Sequence, residues 1–249
     1  METECNSINN SDVYSNLLQK VVFKLFPDDL FKCEHDCSLG GLTNAECISQ
    51  LMTKEFIRNH YKDFKTMWDE YFPAFMITTQ NQTCGMHVNV SNGCFGTNDK
   101  MIEESVRKFF FFVNYNYDFC KVLFNRTNST MYCARRSSDM NVAKNEDIFR
   151  DTSHGNCLNY SHYRQGRIEI RLVGGQKNFA CFRNTMESVF FLVENMRNLK
   201  WDDLTDLSKV FAGCNSYVFD RLTRCHNEGK ISSANIEAIR ETVKEVTYL

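Results

Sequence analysis

Gly166-Arg167-Ile168-Glu169-Ile170-Arg171-Leu172-Val173-Gly174-Gly175 alternates charged and apolar residues with period two. That period marks a half-buried β-strand. Successive strand side chains point to opposite faces. Arg167, Glu169 and Arg171 therefore share one side, while Ile168, Ile170 and Leu172 anchor the other in a core. Two readings fit a carboxylate flanked by two guanidinium groups. One is a surface salt-bridge ladder. The other is a polyanion site, in which the arginines grip phosphate and the glutamate holds a divalent metal.

Working outward, Gly85-Met86-His87-Val88-Asn89-Val90-Ser91 repeats the alternation. Met86, Val88 and Val90 take one face; His87, Asn89 and Ser91 take the other, where each can coordinate or orient a ligand. Gly85 permits close backbone approach. The segment Lys32 to Gln50 reads as two short extended pieces around a Gly40-Gly41 turn, offering Asp36, Ser38 and Glu46 to a common region. Glu2 and Glu4 sit two apart, as on one face of a strand; the plain alternative is a solvated chain end.

The remainder is mostly helical in pattern. Apolar spacing predicts a helix from Asp12 toward Phe31 with Pro27 marking its end, a second over Met52–Tyr71, and a long one from Asp99 to about Phe124. The Phe109–Val113 run belongs to a protein core rather than to lipid, because it is far too short to span a bilayer. Residues 125 to 160 lack periodicity and read as a long loop, a lid or pocket wall, with His154 and His162 as surface or structural groups. Three C-terminal helices are expected over Phe182–Leu199, Asp203 to about Arg224 and Ala234–Val246, the last capped by Ser233.

The chain has 249 residues, 43% hydrophobic and 13% aromatic, so it can bury a substantial core. A net charge of -2 gives no general attraction to nucleic acid or to anionic membrane. The acidic, polar start carries no secretory pattern, and the expectation is a soluble cytoplasmic protein with no nucleic-acid or membrane partner. Twelve cysteines contain no CxxC pair; Cys33, His35 and Cys37 come nearest to a zinc pattern but have no matching second pair. Most of these thiols are expected to act as small buried hydrophobes. Without linker composition or repeats, a single domain over residues 1–249 is the simpler partition, with helices from about 182 to 247 packed on the sheet.

Taken together, Gly85-Met86-His87-Val88-Asn89 followed by Arg167-Ile168-Glu169-Ile170-Arg171 resembles the carboxylate–amine ligase superfamily typified by glutamine synthetase. The branch it resembles is that of the amidoligases, which occur widely, including in phages and other viruses. Met1-Glu2-Thr3-Glu4 is similar to that family's opening strand. Asp36-Cys37-Ser38-Leu39 and Glu46-Cys47-Ile48-Ser49 follow in the family's order, so the resemblance covers residues 1 to about 175. Asn89 stands where a second histidine is often found, and the apolar lead-in before Glu2 is missing.

The resemblance implies an α+β fold: a mostly antiparallel curved sheet with helices on its outer face, like the glutamine synthetase catalytic domain. It implies Glu2, Glu4, Asp36, Glu46, His87 and Glu169 as ligands of Mg²⁺ or Mn²⁺, with Arg167, Arg171, Arg126 and Asn89 toward ATP, and Asn159 toward nucleotide or substrate. A small-molecule or peptide carboxylate would be activated as an acyl phosphate and captured by an amine or ammonia, and Glu169→Ala would abolish ligation. A metal-dependent hydrolase or nuclease, and a non-catalytic binding protein keeping the fold, are the alternatives.

Overall fold

The computed structural model describes residues 2–6, 19–20, 22–26, 30–35, 44–74, 85–126, 133–150, 153 and 155–247, with backbone only for 2–6, 35, 44 and 45. It is α+β, as expected, and every ladder of paired strands among these residues is antiparallel. The chain forms two compact units, one from residues 1–88, 173–183 and 247–249, the other from 89–172 and 184–246.

The first unit is built on strands β1 (Glu2–Asn6), β2 (Phe31–His35), β3 (Asn44–Ser49) and the start of β4 (Met86–Ser91). Their order is β2-β3-β1-β4. Residues 2–6 thus form an interior strand, paired on both sides rather than frayed. Phe31, Cys47, Met86 and Val88 are buried on one face of this sheet. Over them lies an aromatic cluster in which Phe26 meets Phe31 at 5.1 Å and Phe64 at 4.8 Å between ring centres. Phe64 and Trp68 in turn meet Phe182 at 4.9 and 5.7 Å. Each buried ring of this kind contributes on the order of 2 kcal/mol through water exclusion.

The helix expected over Met52–Tyr71 is interrupted. Thr53 caps Lys54–Asn59 by accepting the Phe56 N–H at 3.0 Å. His60 then ends that helix, its ring stacked on Phe56 and its Nδ1 2.8 Å from the Phe56 carbonyl. Tyr61–Thr66 continues, and Met67–Tyr71 widens into a π-helical turn. Asp69 in that turn accepts the Phe179 N–H at 2.9 Å, tying it to the start of the helix Phe179–Asn195. Of the first expected helix, residues 19–20 and 22–25 are helical; Phe31 instead opens β2, and 12–18 lie outside the described residues.

The second unit holds the pair β5 (Leu158–Asn159) and β6 (Arg167–Ile170) with most of the helices. Gly166, at φ 90°, takes the left-handed turn that opens β6, a conformation that a side chain at this position would strain. The long helix expected to about Phe124 breaks at Asn116 into Asp99–Tyr115 and Tyr117–Leu123. The Asn116 side-chain amide donates to the Phe112 carbonyl, four residues back, and to the Leu204 carbonyl, which ties the break to a neighbouring helix. Phe109 to Phe112 are all buried, so this part of the helix is covered on every side. Phe112, Phe119 and Phe191 gather around Phe211 at 5.7–6.2 Å between ring centres.

The expected loop of residues 125–160 contains a helix, Met140–Asn145, started by Asp139 accepting the Asn141 N–H at 2.7 Å. The expected helix from Asp203 resolves into Trp201–Thr205, Leu207–Val210 and Ser216–Asn227. The last helix, Ser233–Arg240, is capped by Ser232 rather than Ser233. No helix among the described residues is long and apolar enough to cross a membrane.

Candidate functional site

In the first unit, strand register gathers residues that are far apart in sequence. Glu4 pairs with Glu46, Glu46 with Glu34, and Glu2 with both Ile48 and His87. Directly opposed residues on antiparallel strands lie on the same face of the sheet. Positions 34, 46 and 4 therefore form one row across three strands, and positions 32, 48, 2 and 87 form the next. Strands lie about 4.8 Å apart, so these are nearest neighbours. Glu46 is half-buried and His87 is buried. The side chains of Glu2 and Glu4, and the whole of Asp36, lie outside the described residues.

The chemistry of this face is acidic with one imidazole. Like charges directly opposite one another on a sheet are destabilising. Lys32 offsets part of the row through an exposed ion pair with Glu34, a contact worth little in water. Carboxylates with a single imidazole suit a hard dication such as Mg²⁺ or Mn²⁺. Among the described residues, no three His, Cys, Asp or Glu side chains form a metal-holding group.

In the second unit, Glu169 is 8% exposed and both its oxygens are engaged. Arg171 donates to Oε1 at 2.8 Å, and Asn159, its register partner, donates to Oε2 at 2.9 Å. The ion pair is nearly enclosed, which excludes the surface-ladder reading of this strand. Asn159 also accepts the Ser161 N–H at 2.9 Å, so its amide orients Glu169 and fixes the turn after β5. Arg167 is exposed, and its side chain makes no hydrogen bond among the described residues. Arg126 is buried beside Asn125, which takes φ 61° and accepts from Arg224 at 2.7 Å. Asn89 is half-buried on β4. His162 is held to Gln165 at 2.8 Å on the surface, and His154 lies outside the described residues.

Four of the buried thiols are not nucleophiles. Burial pushes Cys157, Cys214 and Cys225 up to about 12, and Cys120 up as well. At neutral pH they remain protonated, and the thiolate is the reactive form.

Two participants escaped the reading of the sequence. Glu34 had a usable signal, since Cys33-Glu34-His35 alternates with the same phase as Glu46. Asn159 as the partner of Glu169 had none, because a two-residue strand leaves no periodicity. Compared with protein-family models, curated proteins and solved structures, the chain matches none.

Proposed function

We propose that the chain is an ATP-dependent carboxylate–amine ligase with a divalent-cation site on the sheet of its first unit, and that this sheet is of the glutamine synthetase type. One observation carries the reading: register sets Glu4 opposite Glu46 and Glu2 opposite His87. Residues separated by as much as the span from 2 to 87 thus become neighbours on one face, and they are the ones that the family resemblance names as ligands. Directly opposed carboxylates on neighbouring strands give a dication a favourable place to bind.

Glu2, Glu4, Glu46 and His87 would hold Mg²⁺ or Mn²⁺, which when bound neutralises phosphate charge on ATP. Arg171 is committed to Glu169, while the guanidinium of Arg167 is exposed. A carboxylate oxygen of the substrate attacks the γ-phosphorus and ADP leaves. The amine nitrogen then attacks the acyl carbon, phosphate leaves, and the nitrogen gives up a proton. No protein nucleophile takes part, so catalysis rests on positioning and on fixed charge.

The test is ADP release by the full chain with ATP and Mg²⁺ or Mn²⁺, across paired carboxylates and amines, alongside Mn²⁺ binding followed by paramagnetic resonance. The expected result is release that depends on both substrates, with Glu46→Gln losing turnover and weakening Mn²⁺ binding at least about tenfold. Phosphodiester cleavage without ATP would establish a hydrolase instead. A folded chain that binds neither Mn²⁺ nor ATP would make it a non-catalytic binding protein.

A further inference from the structure

Cys33 and Cys47 are register partners on β2, the edge strand, and β3, and their sulfurs lie 2.9 Å apart as thiols. The Gln50 N–H donates to the Leu30 carbonyl at 2.8 Å at the end of this ladder. Hydrogen-bonded and non-hydrogen-bonded pairs alternate along an antiparallel ladder. Counting from the bonded pair 30/50, the pair 32/48 is bonded, whereas 31/49 and Cys33/Cys47 are not. Non-bonded pairs bring the α-carbons to about 4.5 Å with their side chains close together. That separation falls within the span a disulfide bridges, and the sulfurs need to close by only about 0.9 Å to bond.

We propose that Cys33 and Cys47 are a reversible redox modification site, joined across the β2–β3 ladder by exchange with a small disulfide of the oxidised-glutathione class. Cys33 is half-buried and Cys47 buried, so Cys33 reacts first. Its thiolate attacks the small disulfide; one sulfur of the reagent bonds to Cys33 and the other leaves as a thiolate. Cys47 gives its proton to solvent and attacks the Cys33 sulfur, expelling the second small thiol. The two electrons lost by the cysteines end on the reagent, now two thiols, and a small thiol in excess reverses each step.

The consequence is mechanical. Cys33 and Cys47 alternate with Glu34 and Glu46 on the same two strands, so the bridge fixes β2 at the sheet edge and holds Glu34 opposite Glu46. The inference does not depend on the ligase reading, because it uses the opposite face of the sheet and a different chemistry.

The experiment equilibrates the native full chain over a series of reduced-to-oxidised glutathione ratios, traps it with acid and an alkylating agent, and maps peptides without reduction. The expected result is a joined Cys33–Cys47 peptide pair that reduction separates and that Cys33→Ser abolishes. Oxidised wild-type protein should also melt at a higher temperature than reduced protein, a difference missing in Cys33→Ser. No joined pair at ratios where exposed Cys94 already carries glutathione would overturn the proposal, as would a pair that forms only in urea. The wild-type map decides the matter even if the variant fails to fold.

Discussion

Arg171 and Glu169 show how one residue's setting changes its meaning. Read as a strand face, they form an exposed pair worth under about 1 kcal/mol. Enclosed as they are, they depend on each other. Arg171→Ala takes the guanidinium away from a nearly enclosed carboxylate, and it should cost about 3 kcal/mol in urea unfolding. A change under about 1 kcal/mol would show that water reaches the pair. The buried thiols give a second prediction at this scale. Cys157, Cys214 and Cys225 have folded values near 12 against an ordinary 9.0. Their contribution is fully present below pH 9, where both states hold the proton. Above it the unfolded chain releases protons first, so stability falls as pH rises toward about 12. Each thiol adds up to about 1.4 kcal/mol per pH unit. Urea midpoints under reducing conditions at pH 8, 9 and 10 should therefore drop at an increasing rate.

The helices follow local rules at their starts more faithfully than at their ends. Thr53, Asn98, Asp139, Asn215 and Ser232 each accept a backbone N–H at a first turn. Two of these caps play the same role in different surroundings. Ser232→Ala removes an exposed cap and should cost about 1 kcal/mol. Asn215 also donates to Glu187, an acid only 1% exposed, at 2.8 Å. Asn215→Ala should therefore cost about 3 kcal/mol, the cap plus a buried acceptor deprived of a donor. Equal losses in thermal melts would show that Glu187 does not feel the change. The breaks at His60 and Asn116 were not legible, because apolar spacing runs through both positions. Each break holds because a side chain binds a carbonyl four residues back, a bond whose formation the pattern of apolar residues does not report.

Across the molecule, the chain passes from the first unit to the second within β4, returns after Leu172, and leaves again within the helix Phe179–Asn195. The first unit thus draws on both ends of the chain as well as on the segment after β6. If its acidic face holds a cation, Mg²⁺ at a hundred times its dissociation constant should stabilise the protein by about 2.7 kcal/mol. A chelator should reverse this, and Glu46→Gln should abolish it. Melting temperature against Mg²⁺ concentration measures the effect, and a flat titration in wild-type protein would count against a cation on this face.

The sequence by itself determined two of the strands and their faces. Period-two alternation is enforced by the pleat, so Met86–Ser91 and Arg167–Ile170 were readable from their residues alone, as was the hairpin that β2 and β3 form. Beyond that hairpin, only the tertiary structure decided which strands lie side by side. Register is a long-range property, set by which apolar faces bury together, and nothing local to Glu4, Glu46 or Cys33 specifies a partner. Pairing turned a two-residue motif at the chain start into an interior strand, put Glu4 against Glu46, brought Cys33 to Cys47, and enclosed Glu169 between Arg171 and Asn159.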